Sequence, residues 1–510
     1  MNSFSHDLRN YAADQPDNIA LMECINDRSW TWAELDILVD QIGGWLRANG
    51  IHRGQSIVSI LPNAAETLTI FLACIRYGVR MAPVSPQSTM PEIENWLHMV
   101  RPAGIVKAVG NGNSITQSEV REIEIELDSA FAWCADNKLD EPEGLCGSLC
   151  IPTSGTTGIP KPLVHDAGIL WESAKRFIAH HPDVRGGRYL NNLPMSYLGG
   201  MFNLGLIPLA GGGSTVLVPE FSGQSFFNYW REIERLRVDV LWLVPTIVRG
   251  LMAIARQTSD EFRDVISKQV RFGFLGTAPI DLQTKRDFEE TFNIQLLENF
   301  GLSETTFITS ESLNEDAIRS EGSVGRKLPY TEIELRPLDR DAEEDATEAM
   351  EVFARTPFMA KGYLQADGTI SDPRGPDGFL ATGDLGVWDD TGNLVLAGRS
   401  RDIIKKGGML VSLRELEVVA EAWQGVDEAA AIPVPHDFYG ESTVLFVRLR
   451  DDDEASEEEA MAALEGHLEA NLSKHKLPDA INPIAELPKT ASGKIMKTVL
   501  ASNFLVPSNR

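Results

Sequence analysis

The segment Thr153-Ser154-Gly155-Thr156-Thr157-Gly158-Ile159-Pro160-Lys161 follows a short apolar run at residues 149–151, which is typical of a buried strand. Its glycines allow the backbone to approach a ligand closely, its four hydroxyl groups can donate to phosphate oxygens, and Lys161 adds a mobile positive charge. The segment therefore predicts a loop that binds a polyphosphate, formed by Thr153, Ser154, Gly155, Thr156, Thr157, Gly158 and Lys161.

Two other interpretations compete for this segment. Most clusters of Ser, Thr and Gly are ordinary surface turns, but a lysine at the end of the cluster favours phosphate binding. A kinase-type P-loop needs glycine directly before its lysine. Here Pro160 precedes Lys161 and Pro162 follows it, so the spacing excludes the kinase-type loop.

The chain before this segment alternates between helical and strand-like patterns. Apolar residues recur at helical spacing over residues 31–49, and a strand-like run follows at 56–61. The alternation repeats with helices at 66–78 and 91–101 and strands at 79–83 and 103–109. This order predicts a parallel sheet in α/β layers, which binds ligands beyond its strand ends.

The rest of the chain predicts a second, smaller domain. Helix and strand patterns continue over residues 170–218 and 226–275, whereas residues 352–396 are rich in Gly, Asp and short strand-like runs. After Arg401 the pattern gives strands at 429–434 and 442–450 and a helix at 457–472. We expect an α/β fold with a large N-terminal layered domain that includes a β subdomain (residues 1–400). A small, mobile C-terminal α+β domain follows (residues 401–510).

The composition limits the classes of partner. The 510 residues include 74 acidic and 46 basic side chains, and the formal charge of −28 would repel a nucleic-acid backbone. No apolar run reaches the roughly 20 residues that span a bilayer. Five cysteines without a CxxC pair indicate free thiols in a reducing compartment. We therefore expect a cytoplasmic protein that binds no nucleic acid and has no membrane span.

Five further segments carry polar groups suited to a nucleotide. They are Gly276-Thr277-Ala278-Pro279-Ile280, Asn299-Phe300-Gly301-Leu302-Ser303-Glu304, Thr382-Gly383-Asp384, Gly398-Arg399-Ser400-Arg401-Asp402-Ile403-Ile404-Lys405 and Pro488-Lys489-Thr490-Ala491-Ser492-Gly493-Lys494. With the loop at 153–161, these segments resemble the adenylate-forming superfamily, which contains acyl-CoA synthetases, peptide-synthetase adenylation domains and firefly luciferase. The resemblance covers nearly the whole chain and keeps the order of that family.

The resemblance implies an ATP-dependent ligase that activates a small-molecule carboxylic acid as an acyl-AMP and releases pyrophosphate. Transfer of the acyl group follows, with coenzyme A as the expected acceptor and an amine or a carrier-protein thiol as alternatives. An inactive relative that binds nucleotide as a sensor is a further alternative. The joint presence of Lys494, Glu304 and Asp384 argues against it.

For the adenine and the phosphates, the resemblance implies roles for two segments. Phe300 offers a flat face for adenine, Ser303 can donate to the α-phosphate, and Glu304 offers a hard carboxylate oxygen for Mg²⁺ bound to ATP. Taken alone, Glu304 would be an ordinary acid at a helix start. The other residues on the adenine side are Gly276, Thr277, Ala278, Asn299 and Gly301.

The last three segments are expected to hold the ribose and to form the lid. Asp384 can accept from both ribose hydroxyls, and Arg399 can reach ribose and phosphate oxygens. The resemblance implies that Lys494 supplies charge to the α-phosphate during adenylation and that Lys405 takes part in thioester formation. Arg401 would be the hinge about which the lid rotates between the two steps.

The acid and acceptor side departs from the family pattern. Where acyl-CoA synthetases show Pro-x-Phe-His-x-x-Gly, this chain has Pro194-Met195-Ser196-Tyr197-Leu198-Gly199-Gly200. Tyr197 stands at the usual aromatic or histidine gate, so the acceptor tunnel is expected to differ. The resemblance implies a mixed acid-pocket lining without a charged anchor, formed by Tyr197, Phe202, Gly276, Thr277 and Gly301. Such a lining favours an apolar or aromatic carboxylate.

Overall fold

The structure is a computed structural model that describes most of the chain. The described residues are 3–109, 120–125, 146–153, 161–255, 260–277, 280–313, 318–337, 349–399, 402–406, 409–436, 439–450, 456–472, 474–489 and 495–505. Several predicted site residues lie outside these ranges: Ser154, Gly155, Thr156, Thr157, Gly158, Ala278, Arg401 and Lys494. Lys405 is described through its backbone alone.

The described helices and strands alternate along most of the chain. The helices are α1 (Ser3–Asp14), α2 (Trp32–Ala48), α3 (Ala65–Tyr77), α4 (Met90–Val100), α5 (Ala167–His180), α6 (Ile207–Ala210), α7 (Ser225–Leu236), α8 (Pro245–Ala253), α9 (Asp260–Gln269), α10 (Leu282–Phe292), α11 (Leu413–Glu421), α12 (Glu457–Asn471) and α13 (Lys497–Leu505). A π-helix spans Gly199–Leu206, and short 3₁₀ helices span Pro182–Val184 and Lys474–Lys476. Among the described helices, none is long and apolar enough to cross a membrane.

The strands form four sheets in the described part of the chain. They are β1 (Ile19–Glu23), β2 (Arg28–Thr31), β3 (Ser56–Ile60), β4 (Arg80–Val84), β5 (Gly104–Ala108), β6 (Glu122–Ile125), β7 (Ser148–Thr153), β8 (Lys161–Asp166), β9 (Arg188–Asn191), β10 (Ser214–Leu217), β11 (Val240–Leu243), β12 (Phe272–Leu275), β13 (Leu296–Leu302), β14 (Thr306–Ser310), β15 (Arg326–Lys327), β16 (Glu332–Arg336), β17 (Met350–Arg355), β18 (Gly362–Leu364), β19 (Ile370–Ser371), β20 (Leu380–Trp388), β21 (Leu394–Arg399), β22 (Ile403–Lys406), β23 (Met409–Ser412), β24 (Val426–His436), β25 (Gly440–Leu449) and β26 (Ala480–Pro483).

The first sheet has nine strands in the order β15-β14-β13-β12-β11-β9-β10-β1-β2. Its six inner strands, from β13 to β1 in that order, are parallel, and antiparallel strands flank them on both sides. Every residue of β11 and β12 is buried, as expected for parallel strands covered on both faces. The predicted α/β fold is therefore confirmed.

The second sheet has eight strands in the order β19-β18-β8-β7-β4-β3-β5-β6. Strands β7, β4, β3, β5 and β6 are parallel, whereas β8 and β18 run antiparallel to their neighbours. The hairpin of β7 and β8 is important for the site because the predicted polyphosphate loop connects these two strands. The sheet therefore holds both ends of that loop.

Helices α2, α3 and α5 pack between the two sheets, and their buried side chains join residues of both sheets in one hydrophobic core. Helix α2 begins at a capping box, in which Thr31 and Glu34 satisfy each other's backbone N–H groups. Leu35, Leu38 and Ile42 of α2 are at most 1% exposed. Burial of each such side chain contributes about 1.5–3 kcal/mol to stability. The apolar periodicity therefore predicted both the helix and its buried face.

The β subdomain is an antiparallel sheet in the order β16-β17-β20-β21. It begins at Glu332, well before the predicted start at residue 352. Strand β16 alternates polar and apolar residues (Glu332-Ile333-Glu334-Leu335-Arg336), but it is short and none of its residues is fully buried, and the Gly- and Asp-rich composition that indicated the subdomain does not extend to it. The subdomain was predicted correctly from its buried strands, and its start was missed at an exposed edge strand.

The C-terminal region is a small α+β unit, as predicted. Its sheet follows the order β23-β22-β25-β24, and β26 pairs with β25. Helices α11 and α12 cover one face, where Leu416, Leu464 and Leu468 pack with Leu445 of the sheet. The domain boundary at residue 400 stays a prediction because residues 400 and 401 lie outside the described ranges.

Candidate active site

The two ends of the predicted polyphosphate loop are cross-strand partners in the hairpin of β7 and β8. Thr153 pairs with Lys161, and the Thr153 hydroxyl donates to the Lys161 carbonyl oxygen over 3.2 Å. The Lys161 side chain is exposed, so its ammonium is accessible to a ligand. The sheet thus closes the base of the loop and presents one cation beside it.

The segment that carries Ser303 and Glu304 forms the turn between β13 and β14. A side chain at Gly301 would place its Cβ 2.0 Å from the Thr306 carbonyl oxygen, so only glycine fits there. The Leu302 N–H donates to the Thr305 hydroxyl over 3.2 Å, which closes the turn. The close backbone approach at Gly301 and this hydrogen bond restrict the conformation of the turn. They therefore restrict the position of the Glu304 backbone.

Two residues that the sequence reasoning missed hold this turn. Tyr363 of β18 donates its hydroxyl proton to Glu304 Oε1. His165 of β8 hydrogen-bonds to the backbone of Ser303, and burial lowers the pKa of His165 to about 4. The imidazole is therefore neutral at physiological pH and serves as a fixed support rather than as a charge.

The Tyr363 ring also lies below Lys161, whose Nζ is 5.8 Å from the ring centroid. Burial first, and the neighbouring Glu304 carboxylate second, raise the pKa of Tyr363 well above its usual value. The phenol therefore keeps its proton and remains a donor. Lys161, Glu304 and Thr153 are brought together around this one side chain, whose hydroxyl also reaches the Thr153 side chain.

The predicted adenine-side residues meet at the carboxyl ends of the parallel strands β12 and β13. A Cβ on Gly276 would lie 2.6 Å from Asn299 Oδ1, so the backbone and this amide are in close contact. Thr277 has a φ of +76°, which is strained for a β-branched residue and is typical of functional sites. Asn299 is 6% exposed, and its Nδ2 has no hydrogen-bond partner among the described residues. Phe300 is half-buried on the same strand.

The predicted ribose residues are cross-strand partners in the β subdomain. Asp384 of β20 lies opposite Arg399 of β21, and Arg399 Nε is 3.0 Å from Asp384 Oδ1. The Thr382 hydroxyl accepts from the Asp384 N–H and donates to the Val352 carbonyl oxygen. Asp384 is buried, so its carboxylate is held in one place with a cation beside it.

The predicted acid-pocket residues lie in different surroundings. Tyr197 is 42% exposed, whereas Phe202 is 1% exposed and packs against Phe307 with 6.0 Å between ring centroids. Asn63 fixes the preceding loop, because its amide donates to the Leu193 carbonyl oxygen over 2.8 Å. Phe202 lies in the π-helix Gly199–Leu206, and π-helical turns are frequent at functional sites.

The described ends of the segment that contains Lys494 are linked to the rest of the protein by a backbone bridge and by side-chain charges. Lys489 and Ile495 form an antiparallel bridge, which closes the base of the segment that contains Lys494. Lys489 Nζ lies 2.6 Å from Glu428, and Glu428 lies 3.9 Å from Arg249 Nη1 of helix α8. The backbone of Lys405 is part of β22 in the same domain.

Arg249 is the third residue that the sequence reasoning missed. Its Nη2 also contacts Asp281 Oδ2 over 3.4 Å. Asp281 caps helix α10 and directly follows the predicted segment at residues 276–280. An isolated arginine on an amphipathic helix gives no sequence signal, so this link between the two domains needed the structure.

The comparison with protein families matches two consecutive parts of the chain. Residues 8–364 match the AMP-binding enzyme family, and residues 415–494 match the AMP-binding enzyme C-terminal domain. The chain therefore belongs to the AMP-binding enzyme family. The resemblance to adenylate-forming enzymes is confirmed, and with it an ATP-dependent, AMP-forming acid ligase.

Individual relatives are distant in sequence but match over nearly the full length. Sulfoacetate–CoA ligase of Cupriavidus necator is 26% identical, over 96% of each chain. The 2,3-dihydroxybenzoate-AMP ligase of Bacillus subtilis is 27% identical, over 98% of this chain and 93% of the relative. The crystal structure of ATP-bound MatB from Rhodopseudomonas palustris has a TM-score of 0.85 at 23% identity and covers 99% of both chains, which shows the shared fold.

Proposed function

We propose that this chain activates a carboxylic acid with ATP and transfers the acyl group to coenzyme A. The observation that carries the proposal is the convergence of Thr153, Lys161 and Glu304 around Tyr363. This arrangement sets a cation and a carboxylate beside the predicted polyphosphate loop. The CoA ligase among the relatives supports the choice of acceptor.

In the first step, a carboxylate oxygen of the acid attacks the α-phosphorus of ATP in line. The new P–O bond gives the acyl-AMP, and the bond to the β-phosphate breaks, so pyrophosphate leaves. Lys161 and the hydroxyl groups of its loop stabilise the charge on pyrophosphate. Lys494 stabilises the charge that develops on the α-phosphate, while Asp384 and Phe300 hold the nucleoside.

The Glu304 carboxylate is suited to bind a magnesium ion that arrives with ATP. Glu304 Oε1 accepts from Tyr363, which leaves the second oxygen for a metal. Within the described ranges no group of three or more His, Cys, Asp and Glu side chains could hold a metal by itself. Magnesium is commonly held by one or two carboxylates together with substrate phosphates. When bound, it would neutralise charge on the phosphate oxygens.

In the second step, the sulfur of the acceptor attacks the acyl carbonyl carbon, and AMP leaves with the bonding electrons. The thiol proton passes to solvent or to a base. We infer that the lid rotates about Arg401, withdraws Lys494 and brings the strand of Lys405 to the site. The likeness to 2,3-dihydroxybenzoate-AMP ligase supports a second candidate, an adenylating enzyme with an acceptor other than coenzyme A.

For the acid, we propose an apolar or aromatic carboxylate. The support is the predicted acid-pocket pair: the Tyr197 side chain is 42% exposed, and the buried Phe202 ring packs against Phe307. Neither Tyr197 nor Phe202 carries a charge that would pair with a second carboxylate on the substrate.

A screen of carboxylic acids for pyrophosphate release, with and without coenzyme A, tests the proposal. We expect at least one aromatic or apolar acid to give pyrophosphate, and coenzyme A to accelerate AMP release with formation of a thioester. Melting shifts with ATP but no pyrophosphate from any acid would instead indicate a nucleotide sensor. If AMP were released only with an amine or a carrier-protein thiol, that compound would replace coenzyme A as the proposed acceptor.

A further inference from the structure

Tyr363 stands between two predicted site residues that are far apart in sequence. Strand β18 pairs with β8, where Tyr363 lies opposite Leu163. Because β8 begins at Lys161, this pairing sets the phenol ring beside the lysine ammonium, 5.8 Å from Nζ to the ring centroid. An ammonium over an aromatic face is attracted by the ring quadrupole. The ring therefore restricts where the Lys161 charge lies.

The hydroxyl of the same side chain ends on the Glu304 carboxylate. It donates to Oε1, and the Ala360 N–H donates to the Glu304 carbonyl oxygen over 2.7 Å. A carboxylate that is held through one oxygen presents its second oxygen in a fixed direction. Groups that hydrogen-bond to a ligating carboxylate orient it and strengthen its hold on a metal.

We propose that Tyr363 is a positioning residue for both phosphate-side groups of the site. Its hydroxyl orients Glu304 toward the magnesium ion bound to ATP, and its ring orients Lys161 toward the departing pyrophosphate. The proposal rests on the metal role of Glu304 in the proposed function. A tyrosine that only filled space would use its ring alone, whereas both parts of this half-buried side chain contact predicted site residues.

Two substitutions separate the hydroxyl from the ring. Tyr363→Phe removes the hydroxyl and keeps the ring, whereas Tyr363→Leu removes both. We expect Tyr363→Phe to weaken binding of α,β-methylene-ATP about 10- to 100-fold in Mg²⁺, because the support of a metal ligand is lost. Its binding in EDTA should be unchanged. Tyr363→Leu should weaken binding under both conditions. Titration calorimetry measures both, without any turnover.

The matched control is Tyr330→Phe. Tyr330 is a largely buried tyrosine that packs on Phe358 with 5.0 Å between ring centroids, and its hydroxyl has no partner among the described residues. This variant should bind the nucleotide as the wild-type protein does. Equal weakening by Tyr363→Phe with and without Mg²⁺, or no weakening at all, would overturn the positioning role.

Glu304→Gln distinguishes failure of this inference from failure of the proposed function. If Glu304→Gln loses the Mg²⁺ dependence of nucleotide binding and Tyr363→Phe keeps it, the metal role stands and the role of Tyr363 is wrong. If Glu304→Gln keeps the full Mg²⁺ dependence, Glu304 is not a metal ligand, and both its metal role in the proposed function and the positioning role of Tyr363 are wrong. Melting temperatures of all variants confirm that each is folded.

Discussion

The two halves of the active site are held by different kinds of interaction. In the large domain, strand pairing sets Thr153 opposite Lys161 and Asp384 opposite Arg399. In the lid, one link from Lys489 of the Lys494 segment to the large domain instead runs through side-chain charges, with 3.9 Å between Arg249 and Glu428. Backbone pairing within the sheets therefore positions the first half, whereas a side-chain ion pair contributes to the position of the second half.

The difference explains how one site can serve two reactions. Paired strands keep their register unless the sheet itself unfolds, so we expect the predicted nucleotide half of the site to persist through both steps. A partly exposed ion pair contributes only about 0–1 kcal/mol, so it can break and re-form during turnover. We infer that the nucleotide half is permanent and that the lid half is exchangeable.

The largest expected effect lies in the lid half. Lys494→Ala should slow acyl-AMP formation about 100- to 1,000-fold, because a donor to the charge that develops on the α-phosphate is lost. Thioester formation from chemically prepared acyl-AMP should be nearly unchanged. Pyrophosphate exchange and single-turnover thiolysis measure the two steps.

The control for Lys494→Ala is Lys474→Ala, which removes an exposed lysine of the same domain. It should leave both steps at the wild-type rate. Equal slowing of both steps by Lys494→Ala would contradict an exchangeable lid, since the lysine would then be needed in a single fixed arrangement.

The next largest effect concerns His165, which supports the Ser303 backbone in the nucleotide half of the site. The pKa of His165 falls from 6.5 to about 4 on burial, so between these values only the unfolded chain binds the proton. Stability contributed by the neutral imidazole is present above pH 6.5 and is lost as the pH falls toward 4. The loss amounts to roughly 3 kcal/mol. Urea unfolding at several pH values measures it.

His165→Asn tests this assignment because asparagine keeps a polar side chain that does not titrate in this range. Its unfolding free energy should depend less on pH between 6.5 and 4 than that of the wild-type protein. His52→Asn, at an exposed histidine, should keep the wild-type slope. If the two variants had the same slope, the acid sensitivity would come from other groups, of which buried His181 is the first candidate.

A smaller effect is expected at the ribose. Asp384→Ala removes the charged acceptor for the ribose hydroxyls, at a net loss of about 1.5–3 kcal/mol, the contribution of one hydrogen bond to a charged group. The KM for ATP should therefore rise about 10- to 100-fold. Initial-rate kinetics with ATP and with its 2′,3′-dideoxy analogue measure the effect, and the variant should no longer distinguish the two.

The wild-type enzyme provides the decisive comparison for Asp384. If it used ATP and the dideoxy analogue equally well, the carboxylate would not bind the ribose hydroxyls. Asp372→Asn, at an exposed aspartate that pairs with Arg374, is a matched control and should keep the wild-type KM.

The sequence predicted those parts of the molecule that depend on neighbouring residues. Helix α2 was predicted as residues 31–49 and is observed as Trp32–Ala48, because its apolar period and its cap are both local signals. The ends of the polyphosphate loop were predicted for the same reason. Strand β16 was missed because the Gly- and Asp-rich composition that indicated the β subdomain begins after it, although its own five residues alternate between polar and apolar.

The missed site residues depend on distant contacts. Tyr363 and Glu304 are 59 residues apart, and the pairing of β18 with β8 brings them together. A single tyrosine in a short strand is part of no sequence pattern that predicts such a contact. Arg249 and Glu428 lie in different domains, so their proximity depends on how the lid docks. These contacts follow from topology rather than from local spacing.

The smallest expected effect tests the docking of the lid directly. Arg249→Ala removes the contact to Glu428, in which the two side chains are 31% and 7% exposed. At a stability contribution of at most about 1 kcal/mol, the loss corresponds to no more than about a 5-fold slower adenylation step. Thiolysis of acyl-AMP should not slow, because that step uses the other lid pose. The difference should shrink at high ionic strength, since salt screens partly exposed charges.

Arg231→Ala is the control for Arg249→Ala, because Arg231 is an exposed arginine on the neighbouring helix α7. It changes the net charge equally but removes no contact to the lid. If both variants slowed adenylation equally, the effect would come from charge alone. If Arg249→Ala slowed both half-reactions to the same extent, the contact would serve a lid that stays in one place. A selective, salt-sensitive loss in adenylation alone would identify the Arg249–Glu428 contact as part of the pose in which Lys494 works.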